Sequence, residues 1–179
     1  LAQAIESHPA GQAGAVVVLD VNSGDVKAMA SYPSYDPVVF DALRSDVETD
    51  LTTVLNDPGR PLVNRAAQGA YPAGSTFKMV SFAAALNSGL YTPDTLYTST
   101  GSWSRLGENY VKRDWRAGGH GTIPLKQAVV VSCNTCFYDV GYNLDGQDSF
   151  TLPDTARAFG LGQPTGILGV AESPGSIPD

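Results

Sequence analysis

The feature that most limits what this chain can fold into is a serine and a lysine at the mouth of an apolar run. Tyr71-Pro72-Ala73-Gly74 supplies turn residues, and Ser75-Thr76-Phe77-Lys78 leads into Met79, Val80, Phe82, Ala83, Ala84, Ala85 and Leu86. This pattern predicts a helix from about Ser75 to Ser88, stopped by Gly89. At i and i+3 the two polar side chains share one helix face, with a rise of about 4.5 Å between them. A serine hydroxyl is a weak nucleophile until a neighbouring base takes its proton. A lysine serves as that base when burial disfavours its charged form. Unpaired N–H groups at the helix mouth also favour a developing oxyanion. Ser-x-x-Lys by itself is common on solvated helices, so the pair needs a second element.

That element is Ser132-Cys133-Asn134. Pro124 to Val131 reads as a short helix opening at Thr122 or Ile123, and Thr135 to Leu144 has helical apolar spacing at Phe137, Val140, Tyr142 and Leu144. Ser-x-Asn falls at the junction, where a hydroxyl and an amide can project into a cleft. The hydroxyl can relay a proton, and the amide offers both a donor and an acceptor to a peptide. An isolated Ser-x-Asn is also an ordinary helix cap.

Ser-x-x-Lys followed by Ser-x-Asn is a combination shared by penicillin-binding proteins and serine β-lactamases. The chain resembles the transpeptidase domain of class B penicillin-binding proteins, most closely the elongation type. The resemblance covers nearly the whole chain. Ala15–Asp20 to Ser31–Pro37 resembles the family's first hairpin, and Asn64–Gly69 its approach to the nucleophile. Arg113-Asp114-Trp115 with Gly119-His120-Gly121 resembles the elongation-type insert, and Phe159–Gly162 with Thr165–Ile167 the segment after the Ser-x-Asn helices. The resemblance implies an acylated nucleophile at Ser75, a general base at Lys78, a proton relay at Ser132 and a substrate-orienting amide at Asn134. The implied substrate is the D-Ala-D-Ala stem peptide of peptidoglycan, and β-lactam antibiotics acylate the same serine. It also implies a cell-wall polymerase as partner of the full-length protein.

The family's third element, Lys-Thr-Gly, is absent. None of Lys27, Lys78, Lys112 and Lys126 begins such a triplet. In the family it lies on a later strand and supplies a second oxyanion donor. Losing one such donor typically costs about 3–4 kcal/mol of transition-state stabilisation, so this piece alone is expected to acylate poorly or not at all. Residues 1–179 are expected to form the N-terminal portion of a single transpeptidase domain. The first residue is Leu1, and no stretch is long enough to span a bilayer. The expected parent is a protein at the extracytoplasmic face of the cell membrane, held by an N-terminal transmembrane helix outside this chain. A net charge of −7 argues against a nucleic-acid surface.

The expected fold class is α+β, a penicillin-binding protein or serine β-lactamase-like transpeptidase fold. It is expected to be incomplete, with an N-terminal β-hairpin and a mostly helical remainder. Leu1–Ser7 reads as the end of a helix. Ala13–Val21 and Val26–Ala30 read as strands around Asn22-Ser23-Gly24-Asp25. A short helix is expected near Asp46–Leu55, short strands within 90–121, and a last helix near Leu152–Phe159 ending at Gly160. The hairpin is the one firmly marked sheet, and an isolated hairpin is marginal in water. It is expected to be completed by another chain or segment, or to keep an exposed edge.

The chain has two cysteines, Cys133 and Cys136. On a helix, thiols at i and i+3 rarely form an unstrained disulfide, so Cys136 reads as a small buried helix residue. Asp114, His120 and Cys133 are residue types that suit zinc. The family resemblance implies no required cofactor. Some elongation-type relatives carry a structural zinc on Asp, Asp, His and Cys, and these three residues match three of those positions by local motif. The first Asp would fall in Thr98-Ser99-Thr100-Gly101, where no carboxylate stands, leaving a water or Glu108 to complete the set. Trp103 and Trp115 are read as packing the insert against the core. Arg60 and Arg65 are read as surface ion pairs, and His8 as a surface histidine.

The leading functional expectation is a piece of a D,D-transpeptidase. The alternatives are a D,D-carboxypeptidase or β-lactamase, which deacylates with water, and a penicillin-sensing or scaffolding domain that acylates without turnover.

Overall fold

The computed structural model describes residues 1–41, 43 and 51–178. The chain divides into two compact units, residues 1–71 with 166–173 and residues 72–165 with 174–179.

The first unit opens with α1 (Ala2–Glu6), followed by strands β1 (Gly14–Leu19) and β2 (Val26–Tyr32). The strands pair antiparallel from Gly14↔Tyr32 to Leu19↔Val26, with a register irregularity at Val18/Leu19. The turn forms because the Asp20 carboxylate accepts the N–H groups of Asn22 and Ser23 while Gly24 N–H donates to the Asp20 carbonyl. α2 (Leu51–Asn56) and α3 (Arg65–Gln68) follow. The sequence places a helix near Asp46–Leu55; its first part lies outside the described residues. α3 is capped by Asn64, whose side chain accepts from Ala66 N–H at 3.2 Å.

The hairpin is not a free-standing ribbon. α3 packs on both strands, and the Ser31 hydroxyl donates to the Val63 carbonyl while accepting Arg65 N–H. Val16, Val17, Val18 and Leu19 nevertheless remain 43–55% exposed. Alternate strand residues face opposite sides, so apolar surface is left on both faces. Among the described residues Arg65 makes backbone contacts in place of the expected surface ion pair. Its guanidinium donates to the carbonyls of Gly59, Arg60 and Val63, holding the turn before α3.

The second unit contains α4 (Lys78–Asn87), β3 (Leu96–Ser99), β4 (Ser102–Trp103), β5 (Lys112–Arg113), β6 (Gly121–Pro124), α5 (Leu125–Val130), α6 (Asn134–Gln147) and α7 (Thr151–Ala158). β3 pairs with β6 and β4 with β5, each antiparallel. Thr122 and Ile123 therefore belong to a strand, and α5 opens later than the sequence indicates, at Leu125. The reason is long-range: β3 offers backbone partners to 121–124 that local propensity does not reveal.

α4, α6 and α7 pack on one another around Ala84, Ala85, Leu125, Ala128, Cys133, Cys136, Phe137, Val140 and Leu144. Five buried residues of this cluster, Ala84, Ala85, Ala128, Cys133 and Cys136, carry no more bulk than a thiol, which lets helix axes approach closely. The insert is tied to α6 by Trp103, whose indole N–H donates to Asp139 at 3.1 Å, and by Arg105, which bonds Asp139 and Asn143. Trp103 is buried as expected, whereas Trp115 is 66% exposed.

Candidate active site

The turn before α4 is set by Gly74. Its φ of +57° is unfavourable for any residue with a Cβ, although nothing crowds that position. Gly74–Phe77 then forms a 3-10 turn, so Ser75 stands on this tighter turn and Lys78 is the first residue of α4. The hydroxyl is thereby exposed while the amine is half-buried.

Lys78 Nζ is the hub of the site. It lies 3.2 Å from Ser75 Oγ, 2.9 Å from Ser132 Oγ, 2.7 Å from the Ser132 carbonyl and 2.6 Å from Asn134 Oδ1. The structure thus brings together the four residues that the two sequence motifs single out, across more than fifty residues of chain. The carbonyl and the amide oxygen can only accept, so they take two N–H bonds of the amine. In a neutral amine the lone pair is then left to the two hydroxyls. Burial pushes the Lys78 pKa down, and the charge of Asp114 offsets part of that shift. The Phe137 ring, 5.9 Å from Nζ, is part of the apolar wall.

Ser132 reaches Lys78 with both its hydroxyl and its carbonyl because it adopts φ +52°, a left-handed conformation rare outside glycine. The surrounding structure holds it there. Ser132 N–H donates to the Val129 carbonyl and Cys133 N–H to the Ala128 carbonyl. Trp115 donates its indole N–H to the Val131 carbonyl at 3.0 Å.

Asp114 closes the other side of the junction. Its side chain is fully buried. Oδ2 accepts from Asn134 N–H at 2.8 Å, Thr135 N–H at 3.1 Å and the Thr135 hydroxyl at 3.3 Å. Oδ1 faces His120 Nε2 at 3.1 Å and Arg116 N–H at 3.3 Å. Burial alone raises this carboxyl's pKa, but the N–H groups of Thr135 and Arg116, the His120 ring and Asn134 N–H outweigh it and hold the value below normal. In the sequence Asp114 stands out only as a metal-type residue. Its role as the acidic cap of a helix twenty residues away has no local signal.

Asp114, His120 and Cys133 do come together, with ligand-type atoms within 4.8 Å of one another. Cys133, however, is disulfide-bonded to Cys136. This corrects the expectation that the i, i+3 pair stays reduced. Cys133 is the extended N-cap of α6, with φ −60° and ψ 114°, rather than a helical residue. The Cα atoms are consequently 5.5 Å apart, inside the usual disulfide range.

Comparison with known proteins identifies the family of the chain. Residues 14–179 match the penicillin binding protein transpeptidase domain. The chain is 41% identical to peptidoglycan D,D-transpeptidase MrdA of Escherichia coli (strain K12) over 179 residues, which is 99% of this chain but 27% of that protein. It therefore spans about a quarter of the length of that relative. Penicillin-binding protein A from M. tuberculosis, solved as a penicillin G acyl-enzyme complex, superposes with a TM-score of 0.81 at 34% identity, covering 99% of this chain and 42% of that one. Penicillin-Binding Protein (PBP2) from Helicobacter pylori, solved with MreC, gives a TM-score of 0.81 at 30% identity, covering 93% of this chain and 30% of that one. By this match over residues 14–179, the chain belongs to the penicillin-binding protein transpeptidase domain family.

Proposed function

We propose that this chain carries the acylating half of a serine-type peptidoglycan D,D-transpeptidase. The observation that supports this most is the placement of Lys78 Nζ within 3.2 Å of Ser75 Oγ and 2.9 Å of Ser132 Oγ.

With its two N–H bonds given to the Ser132 carbonyl and Asn134 Oδ1, neutral Lys78 directs its lone pair at the hydroxyls. It takes the Ser75 proton as Oγ attacks the carbonyl of the penultimate D-Ala of a stem peptide. The tetrahedral intermediate collapses when the C–N bond to the terminal D-Ala breaks. The leaving amine receives its proton through Ser132, which Lys78 resupplies. An acceptor amine from a second stem peptide then attacks the acyl-serine ester, and the same groups return the proton to Ser75 Oγ. A β-lactam enters by the same first step. Its leaving nitrogen stays tethered to the acyl group, so the serine remains blocked.

This chemistry uses no cofactor. A structural zinc on Asp114, His120 and Cys133 would need Cys133 as a thiolate, which the bond to Cys136 denies it. The proposed setting is the extracytoplasmic face of the cell membrane, with stem peptides, β-lactams and a cell-wall polymerase or assembly protein as partners. Among the described residues no helix is long and apolar enough to cross a membrane.

The test is covalent labelling of the full-length protein with a fluorescent penicillin. Stable labelling of the wild type that is lost in Ser75→Ala, together with cross-linking of a D-Ala-D-Ala peptide to an amine acceptor, is the expected result. Rapid release of opened penicillin would instead identify a hydrolase, and labelling without peptide turnover a sensor.

A further inference from the structure

The disulfide lies inside the candidate site. Cys133 is the residue between Ser132 and Asn134, and both of those neighbours bond Lys78 Nζ. Cys133 is 0% and Cys136 1% exposed. The bond joins the middle of the Ser-x-Asn element to the first turn of a fourteen-residue helix, and Cys136 N–H also donates to Cys133 Sγ at 3.1 Å. Ser132 is in a conformation that L residues rarely hold unaided. Because consecutive side chains hang from one backbone, rotation at Cys133 would swing the Ser132 hydroxyl and the Asn134 amide away from Lys78 together.

The neighbouring Asp114 and His120 offer a metal as another way to fix the same spot, but with the disulfide closed the donor set does not fit one. Cys133 Sγ has no thiolate to give. The Asp114 oxygens already face five donors: Arg116 N–H, His120, Asn134 N–H, Thr135 N–H and the Thr135 hydroxyl.

We propose that Cys136 is a positioning residue for acylation: through its disulfide to Cys133 it holds the Ser132–Asn134 pair against Lys78, and this covalent brace takes the place of a metal ion beside Asp114 and His120. The bond forms by exchange with a protein disulfide. The two thiols lose two electrons and two protons, the Cys133–Cys136 bond is made, and the donor disulfide is reduced to a dithiol. The inference rests on the acylation reading of the site given above.

The experiment uses the full-length protein purified without reductant. Denaturation with alkylation, followed by mass spectrometry, is expected to find residues 133 and 136 unmodified, and metal analysis far less than one zinc per chain. Two alkylated thiols with one zinc per chain overturn the proposal without bearing on Ser75. At saturating labelled penicillin, Cys136→Ser is expected to acylate about tenfold or more slowly, within the loss that a misplacement of about 1 Å produces. Wild type opened with a dithiol should show the same slowing, which covers a variant that folds poorly. A merely structural bond would lower the melting temperature and leave the acylation rate constant of the folded protein unchanged, and that result also overturns the proposal. Failure of the acylation reading looks different: the wild type is then not labelled, or Ser75→Ala still is.

Discussion

The carboxylate of Asp114 accepts the backbone N–H of Asn134 at 2.8 Å. A buried acid from the insert therefore caps the helix whose first residue carries the amide facing Lys78. The negative charge sits where the helix dipole favours it, and it anchors the junction that presents Ser132.

Removing that cap should be costly. Asp114→Ala strips the N–H groups of Arg116, Asn134 and Thr135, the Thr135 hydroxyl and the His120 ring of their acceptor. Bonds to a charged group contribute about 1.5–3 kcal/mol, so we expect a stability loss of about 2–3 kcal/mol in chemical denaturation, with slower penicillin acylation.

The same residue sets an acid limit. The Asp114 pKa is depressed in the fold, so its contribution is complete above the unfolded value of about 3.9 and is lost as pH falls through the lower folded value. Asp114→Asn should be less stable at neutral pH and should show a flatter decline in acid. Parallel melting curves of the two proteins across that range decide the matter.

Lys78 titrates in the opposite sense to a stabilising cation. Its folded pKa lies below the unfolded one because burial disfavours the ammonium. Between the two values the unfolded chain binds more protons, so stability rises with pH across that window, and protonated Lys78 is a cost below it. Acylation should also rise with pH, with a midpoint below the ordinary lysine value. Lys78→Met should lower the acylation rate about 10²–10⁴-fold and abolish that dependence. Rapid-quench labelling with penicillin over a pH series measures both.

The left-handed Ser132 gives a prediction in which stability and activity part. Ser132→Gly removes the Cβ that makes φ +52° unfavourable, so it should be about 1 kcal/mol more stable than Ser132→Ala. Both lack the hydroxyl that Lys78 contacts, and both should acylate slowly. Equal stability of the two variants in urea titration would mean the backbone is not strained there.

In the core, Leu144 is fully buried among α4, α6 and α7. Leu144→Ala should destabilise by about 2–5 kcal/mol, read from the shift in denaturation midpoint.

The local signals in the sequence were strong where chemistry and periodicity coincide. Ser75 and Lys78 one turn apart before an apolar run, Ser132 and Asn134 at a helix junction, and the Asn22–Asp25 turn are all short-range patterns, and a helix start or tight turn depends mainly on its own residues. The junction was legible as a break between two periodic segments. The strand at 121–124 was not, because a four-residue strand exists only through its partner. The disulfide escapes a local reading for a related reason. The i, i+3 argument assumes both cysteines are helical, whereas Cys133 is the extended cap, and that cap is fixed by Ala128, Asp114 and Lys78 from three separate segments. The exposed valines of β1 also stand outside any local reading, since what covers a sheet face is never written in the strand itself.

Residue chemistry and periods of three to four residues make Ser75, Lys78, Ser132 and Asn134, and the helices that carry them, legible without any coordinates. The contact of Lys78 with Ser132 and Asn134, the capping of α6 by Asp114 and the Cys133–Cys136 bond emerge only in the folded chain. Each of these depends on distances between segments remote along the chain, and burial of a shared core, rather than any local preference, sets them.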